Sequence, residues 1–189
     1  MNMRKKTIAL LTTLVLALGC IIGGTVAWLT ARTNQIVNTF TTSNIDITLE
    51  ETTGMNYKMV PGHTLAKNPK AAVIAGSEEC YLFVMLEKSA NFDSYLAFEM
   101  ADGWIALDNV EGVYYRTVTA SQIGTEYSVL KDDQVSVKGT VTKEMMDTLS
   151  PQTDPILSIT AYASQLHKNS TEDFTAAEAW TNIGPASKN

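Results

Sequence analysis

The sequence predicts an all-β protein, a jelly-roll-like antiparallel β-sandwich with one or two short helices, preceded by an N-terminal signal-peptide helix. Two observations carry the β assignment: roughly eight to ten short apolar segments alternate with turn residues, and few segments have helical composition. A basic start followed by a long uncharged segment carries the signal-peptide assignment. With 189 residues, the chain fits one domain plus a targeting segment.

The first half of the chain contains five predicted strands or short apolar segments. The clearest two-residue alternation sets Ile45, Ile47 and Leu49 against polar neighbours, which is typical of a half-buried strand. Pro61-Gly62 is a strong turn signal before the third segment. In chain order the five segments are Gln35–Thr41, Ile45–Glu51, His63–Pro69, Ala71–Ala75 and Glu79–Lys88.

Glu79–Lys88 is the clearest core strand, because both of its faces are apolar. Such a pattern predicts a central strand that is covered on both sides or lies at an interface. One face carries Cys80, Leu82, Val84 and Leu86, and the other carries Tyr81, Phe83 and Met85.

The second half contains two hairpin-like pairs, one long strand and candidate helices. Thr142 is a candidate N-cap for the first helix after the hairpins. The predicted elements are a short helix or irregular crossover at Asn91–Met100, the pair Trp104–Leu107 and Val113–Thr119, the pair Tyr127–Leu130 and Gln134–Val141, the helix Lys143–Leu149, the strand Ile156–Leu166 and the helix Thr175–Ile183.

The start of the chain has the layout of a secretory signal peptide. Basic residues at positions 4–6 precede an apolar segment, and small residues lead up to Ala27. We predict cleavage between Ala27 and Trp28. Cleavage divides the chain into a signal peptide, residues 1–27, and a secreted β-sandwich domain, residues 28–189.

Two other outcomes for this segment stay open. The uncharged run Thr7–Ala31 exceeds the ~20 residues that span a bilayer, so it fits a retained membrane anchor. Gly23 and Gly24 disfavour a continuous helix there. Lipoprotein processing at Cys20 is the second alternative, although the preceding Ala17-Leu18-Gly19 matches the usual pattern poorly.

The charge and cysteine content exclude several classes of partner and bond. The net charge is −6, and it becomes −9 when the three basic residues of the signal peptide are removed. Such a chain repels nucleic acid and anionic lipid, so we expect no nucleic-acid ligand and membrane contact only through an uncleaved signal segment. Cys80 alone survives cleavage, which excludes an intramolecular disulfide.

We find no sequence pattern that predicts catalysis, a metal or a cofactor. Zinc sites need several well-placed His or Cys ligands, whereas the secreted domain offers only His63, His167 and Cys80. Cys80 alternates with apolar residues, so it is predicted to be a buried thiol. No G-x-S-x-G nucleophile elbow and no phosphate-binding glycine loop occurs.

The remaining polar and aromatic candidates have structural interpretations. His63 is predicted to be a surface turn residue. The acidic pairs at 78–79 and 132–133 are predicted to be solvated turn charges, since neither has the spacing of a calcium loop. Trp28 needs burial by the protein's own sheet or by a neighbouring subunit. Four strand aromatics are predicted to pack in the core: Trp104, Tyr114, Tyr115 and Tyr162.

Several motifs in residues 4–88 carry information about the family of the protein. The strongest is Gly23-Gly-Thr-Val-Ala-Trp-Leu-Thr30, followed by Asn38-Thr-Phe40 and Ile45-Asp-Ile-Thr-Leu49. Together with Pro61-Gly62 and Gly76-Ser-Glu-Glu-Cys-Tyr-Leu82, they resemble the TasA/camelysin family of secreted proteins of Gram-positive bacteria. The chain departs from the family pattern at Leu29, where a second aromatic is usual, and at Ala31, where an acidic residue is frequent.

The resemblance implies a jelly-roll sandwich that is exported after cleavage by a dedicated signal peptidase, SipW. It places the protein outside the cell, on the cell surface or in the biofilm matrix. In fibre-forming members the mature N-terminal segment of one subunit adds as a strand to the next. The partner is then a second copy or a related matrix protein, and the candidate donor residues are Trp28, Leu29, Ile36, Val37 and Phe40.

Three hypotheses about function follow. The leading one is a secreted structural protein of the cell surface or biofilm matrix that polymerises into fibres by N-terminal donor-strand addition. The second is a surface metallo-endopeptidase, because camelysins are classed as such, although the shortage of metal ligands argues against an enzyme. The third is a monomeric secreted binding module.

Overall fold

A computed structural model describes residues 44–54 and 56–183 of the chain. The predicted signal peptide and the predicted strand Gln35–Thr41 lie outside these residues. The part described contains twelve strands and three α-helices. The strands are β1 (Ile47–Glu50), β2 (Thr64–Ala66), β3 (Lys70–Val73), β4 (Cys80–Lys88), β5 (Leu96–Ala97), β6 (Ile105–Ala106), β7 (Val113–Val118), β8 (Glu126–Ser128), β9 (Gln134–Val137), β10 (Leu157–Gln165), β11 (His167–Asn169) and β12 (Glu172–Asp173).

The helices are short and the sheets are antiparallel, which confirms the all-β prediction. The helices are α1 (Phe92–Tyr95), α2 (Lys143–Asp147) and α3 (Ala176–Ile183). One sheet has the order β10-β4-β7-β6, two three-stranded sheets have the orders β1-β3-β8 and β2-β9-β5, and β11 pairs with β12. Every pair between these strands runs antiparallel.

Strand β4 is central and is buried on both faces, as its sequence predicts. It pairs with β10 on one side and with β7 on the other. Its inner face contributes Cys80, Leu82, Val84 and Leu86 to the main core, together with residues of both three-stranded sheets such as Val73 and Val135. Its outer face contributes Phe83, which is fully buried, to a second cluster.

Helix α3 covers the outer face of the four-stranded sheet and explains the second cluster. Trp180 is 8% exposed and lies against Phe83, with ring centroids 5.3 Å apart. The helix begins with a reciprocal cap: the N–H of Thr175 donates to the Glu178 carboxylate (2.8 Å), and the N–H of Glu178 donates to the Thr175 hydroxyl (3.3 Å). The four predicted core aromatics, Trp104, Tyr114, Tyr115 and Tyr162, all lie in or against one of the two clusters.

Most predicted elements fall within one to three residues of the observed ones. The hairpin between β6 and β7 is confirmed. The cap of α2 is also confirmed, because the Thr142 hydroxyl accepts a hydrogen bond from the N–H of Met145. Asn91–Met100 resolves into helix α1 followed by strand β5. The β11–β12 hairpin was not predicted.

The predicted pairing of Tyr127–Leu130 with Gln134–Val141 is wrong. Strand β8 pairs with β3, whereas β9 pairs with β2 and β5 in a different sheet. Asp132 and Asp133 between them have φ angles of 54° and 53°, in the left-handed region. This turn therefore directs the chain from one sheet to the next instead of folding it back as a hairpin. No helix of the described residues is long and apolar enough to cross a membrane.

Candidate functional site

The outer edge of β10 carries a row of backbone donors and acceptors that no described strand pairs with. This strand has nine residues, and along its full length it pairs only with β4 among the described strands. The N–H of Ser89 donates to the carbonyl of Ile156 (3.0 Å) just before the strand. The N–H of Leu166 donates to the carbonyl of Glu79 (3.4 Å) just after it. Both bonds continue the register of the β10–β4 ladder.

These two bonds fix which backbone groups of β10 face outward. In an antiparallel ladder, hydrogen-bonded and non-hydrogen-bonded residue pairs alternate. Ile156 and Leu166 both bond to residues next to β4, so the even-numbered residues between them bond to β4 as well. The odd-numbered residues therefore direct their N–H and C=O groups away from β4, toward the open edge: Leu157, Ile159, Ala161, Ala163 and Gln165.

This edge lacks the features with which proteins usually block strand addition. Monomeric sheet proteins protect an edge with charged side chains, proline, bulges or a very short strand. Leu157–Gln165 contains no charged residue, no proline and no glycine, and its register with β4 is unbroken. The side chains of Leu157, Ile159, Ala161 and Ala163 pack only partly buried against the main core. Strand β1 lies near β10 without pairing with it, so the unpaired backbone groups of β10 are what a further strand would bond to.

The outer face of β10 is held by helix α3. The Tyr162 ring meets the Trp180 ring edge-on, with centroids 5.2 Å apart and an interplanar angle of 88°. Ser164 is 5% exposed. The strand is thus anchored on its β4 side and on its outer face, so its open edge presents a fixed row of donors and acceptors.

The predicted signal-cleavage residues, Ala27 and Trp28, lie outside the described residues, as do the donor-strand candidates Leu29, Ile36, Val37 and Phe40. The sequence predicts a donor segment but no acceptor, and the unpaired edge of β10 is a candidate for one. The uncharged alternation of Ile156–Leu166 was the available sequence signal. Its position at the edge of the sheet depends on long-range pairing, which the pattern does not show.

The other candidates behave largely as structural residues. Cys80 is fully buried, and burial raises the pKa of its thiol to about 11. His63 is exposed and follows a turn in which its N–H donates to the carbonyl of Val60 (3.0 Å). Gly62 has a φ of +77° there, a conformation that favours glycine. One carboxylate oxygen of Asp133 is buried without a hydrogen-bond partner among the described residues.

Glu79, predicted to be a solvated turn charge, instead belongs to a three-residue cluster near the end of β10. His167 Nδ1 lies 2.5 Å from Asp173 Oδ1, and its Nε2 lies 3.3 Å from Glu79 Oε2. The hydrogen bond that the ring donates to Asp173 and then the one that it donates to Glu79 raise the pKa of His167. The N–H of Ala120 donates a hydrogen bond to Glu79 Oε1 (2.8 Å), and this bond is the main cause that lowers the pKa of Glu79.

The chemistry of the described residues and the comparisons with known proteins give no further assignment. Across residues 44–54 and 56–183, no group of three or more His, Cys, Asp or Glu residues is arranged to hold a metal ion. No protein-family model, curated protein or solved structure matches the chain.

Proposed function

We propose that the protein is a secreted structural component of the cell surface or biofilm matrix of a Gram-positive bacterium. In this proposal a SipW-type signal peptidase cuts after Ala27, and the remaining domain is a jelly-roll sandwich. The N-terminal segment Trp28–Phe40 of one copy adds as a strand to β10 of the next. Because donor and acceptor are different surfaces, the contact repeats head to tail and builds an open fibre.

The open edge of β10 is the observation that supports this proposal most directly. Every second residue from Leu157 to Gln165 directs its N–H and C=O groups outward, and water or another strand must satisfy these groups. Nine residues correspond to about 30 Å of strand, enough for a continuous ladder. A strand ladder of this length supplies affinity through main-chain bonds and specificity through alternate side chains.

The donor segment is long enough for the edge and carries apolar residues near its C-terminal end. Trp28–Phe40 is longer than β10, and Ile36 and Phe40 share one face of an extended chain. The inner-face residues along the open edge of β10 are only partly buried. Apolar donor side chains on one face would complete their burial, at a gain of roughly 25 cal/mol per Å² covered.

The decisive experiment combines N-terminal sequencing of the secreted protein with negative-stain imaging. We expect a mature start at Trp28 and filaments that lengthen with protein concentration. Replacing Ile36, Val37 and Phe40 together by Asp removes the apolar side chains, and we expect this to abolish filaments. The cleavage site is unchanged in this variant. Normal secretion of the variant would therefore show that the loss of filaments does not come from failed export.

A matched control places the same three charges at exposed polar positions outside the donor segment and outside β10, namely Thr125, Gln152 and Asn182. If both triple variants lose filaments, added charge rather than the lost apolar donor is the cause, and donor-strand addition is wrong. A monomer at every concentration, with a chain that starts at Trp28, supports the monomeric binding module instead. Chelator-sensitive cleavage of casein by metal-loaded protein would support the metallo-endopeptidase.

A further inference from the structure

Arg116 lies between two aromatic rings on the inner side of the four-stranded sheet. It is the only arginine in the part of the chain that the structure describes, and it faces Leu82 across the β7–β4 pair. Its guanidinium carbon is 3.6 Å from the centroid of the Tyr127 ring and 5.2 Å from that of Trp104. The Trp104 indole N–H donates to the carbonyl of Ser128 (2.9 Å), which fixes this ring against β8.

The guanidinium has no polar partner among residues 44–54 and 56–183. Six lysines of the same region form ion pairs with carboxylates, but Arg116 forms neither an ion pair nor a hydrogen bond there. The Tyr127 hydroxyl, on the ring that Arg116 covers, is buried and also lacks a hydrogen-bond partner in this part of the chain. Burial lowers the pKa of Arg116. Arg116 is partly buried, so water reaches only part of the guanidinium, and a bound anion would supply the partner that the described residues do not.

The N–H groups of the guanidinium are the part that can bind a ligand, because they donate to no described residue. The Tyr127 ring lies against the guanidinium, and the Trp104 ring lies farther away. Gly103 lies so close that a Cβ atom built on it would come within 2.5 Å of Arg116 Nη2. Any side chain at Gly103 would therefore displace the guanidinium. The planar N–H edge of an arginine matches the two oxygens of a carboxylate in a bidentate pair.

We propose that Arg116 is a binding site for a single carboxylate group, held in the plane of the guanidinium between the Trp104 and Tyr127 rings. One guanidinium balances one negative charge, which favours a carboxylate over a dianionic phosphate. The carboxylate belongs to a small organic acid or to a uronic acid sugar. This site is on β7 and is separate from the β10 edge, so it stands whether or not the protein forms fibres.

The side-chain Nε–Hε signal of Arg116 in ¹⁵N NMR reports this binding directly. We titrate the purified protein with galacturonate, with acetate, with the neutral sugar galactose, and with sodium chloride at matched ionic strength. We expect galacturonate to shift the Arg116 and Trp104 side-chain signals saturably, and galactose to leave them unchanged. A saturable shift with acetate assigns the site to small carboxylates in general, whereas a shift with galacturonate alone assigns it to uronates.

Three variants test whether carboxylate binding needs the planar guanidinium of Arg116 or only its positive charge. Arg116→Gln should abolish the saturable shift of Trp104. Arg116→Lys keeps the charge but lacks the planar fork, and should weaken binding about tenfold. Lys58→Gln removes one charge from an exposed lysine and should leave binding unchanged.

Three results would overturn the site: no saturable shift with either carboxylate, an equal shift with chloride, or binding that survives Arg116→Gln. The titration of the unsubstituted protein decides the question even if Arg116→Gln fails to fold.

Discussion

The two edges of the four-stranded sheet differ sharply in what they offer another chain. At one edge β10 runs for nine uncharged residues in unbroken register. At the other edge β6 has only two residues, Ile105 and Ala106. The N–H of Leu107 donates to the carbonyl of Val113 (2.9 Å), so Ala106 is the β6 residue whose backbone groups face outward.

The shortness of β6 protects one edge of the sheet, whereas nothing in the sequence of β10 protects the other. A two-residue strand cannot support a ladder, and this is one of the ways in which sheet proteins block edge-to-edge association. Because β10 has no such protection, its backbone groups are available to a partner strand, from the same chain or from a neighbour, and otherwise bond to water.

A pair of proline substitutions, one in each edge strand, tests the difference between β10 and β6, and we expect the largest effect from it. Ala161→Pro removes an outward N–H from β10 and leaves the ladder with β4 intact, because proline is tolerated on the free side of an edge strand. We expect filaments to be abolished and the folded monomer to remain. Ala106→Pro makes the same change at the outward position of β6 and should leave filament length and yield unchanged, by electron microscopy.

Circular dichroism and thermal unfolding of both proline variants check that the sheet is intact. Loss of filaments in Ala106→Pro with retention in Ala161→Pro would reverse the assignment of the acceptor edge. Filaments in both variants would show that neither edge of this sheet accepts a strand.

Helix α3 anchors β10, so removing its tryptophan should weaken the long edge of the sheet. Trp180→Ala deletes a side chain that is 8% exposed and contacts both Phe83 and Tyr162. We expect a loss of about 3–5 kcal/mol in the free energy of unfolding, typical for a buried Trp→Ala change. Denaturant titration measures it, and Asn182→Ala on the exposed side of the same helix should cost less than about 0.5 kcal/mol.

Hydrogen exchange should show the outward–inward alternation of β10 residue by residue. In the monomer we expect the amides of Ile159, Ala161 and Ala163 to exchange at least about tenfold faster than those of Thr160 and Tyr162, which bond to β4. If the edge is open in the monomer and covered in the filament, assembly should remove this alternation. Uniform protection in the monomer would show that the chain's own N-terminal segment already covers the edge.

The sequence predicted the central strand well because its evidence is local. Apolar residues on both faces of Glu79–Lys88 required cover on both sides, and the main core and helix α3 provide it. The pairing of strands was less predictable, because it depends on contacts between distant segments. Asp132 and Asp133 illustrate this: their left-handed turn redirects the chain to another sheet, although the residues before and after them have the composition of a hairpin.

The candidate site was only half predictable for the same reason. The apolar donor positions Ile36, Val37 and Phe40 can be read from the composition of one segment. The acceptor requires knowing that β10 pairs with β4 on one side and with no described strand on the other. The Arg116 stack joins β7, β8 and the turn before β6, so no pattern within one segment could indicate it.

The smallest predicted effect concerns His167, which lies two residues beyond the end of β10. A neutral imidazole has one N–H, so only the protonated ring can donate to both Asp173 and Glu79. These hydrogen bonds raise the folded-state pKa of His167 above its ordinary value of 6.5. Their contribution to stability is therefore fully present below about pH 6.5 and is lost as the pH rises through the folded pKa.

Proton NMR of the His167 ring measures this pKa directly. Asp173→Asn should lower it more than Glu79→Gln does, because the contact with Asp173 is shorter and is the larger cause of the shift. The pKa of Glu79 is lowered from 4.5, so its contribution is lost as the pH falls through the lower folded value, and the cluster is complete only between these two limits. The β11–β12 amides should be best protected in this window, whereas Ala106 on β6 should show no such pH dependence. A His167 pKa at or below 6.5 would show that the ring bridges neither carboxylate in solution.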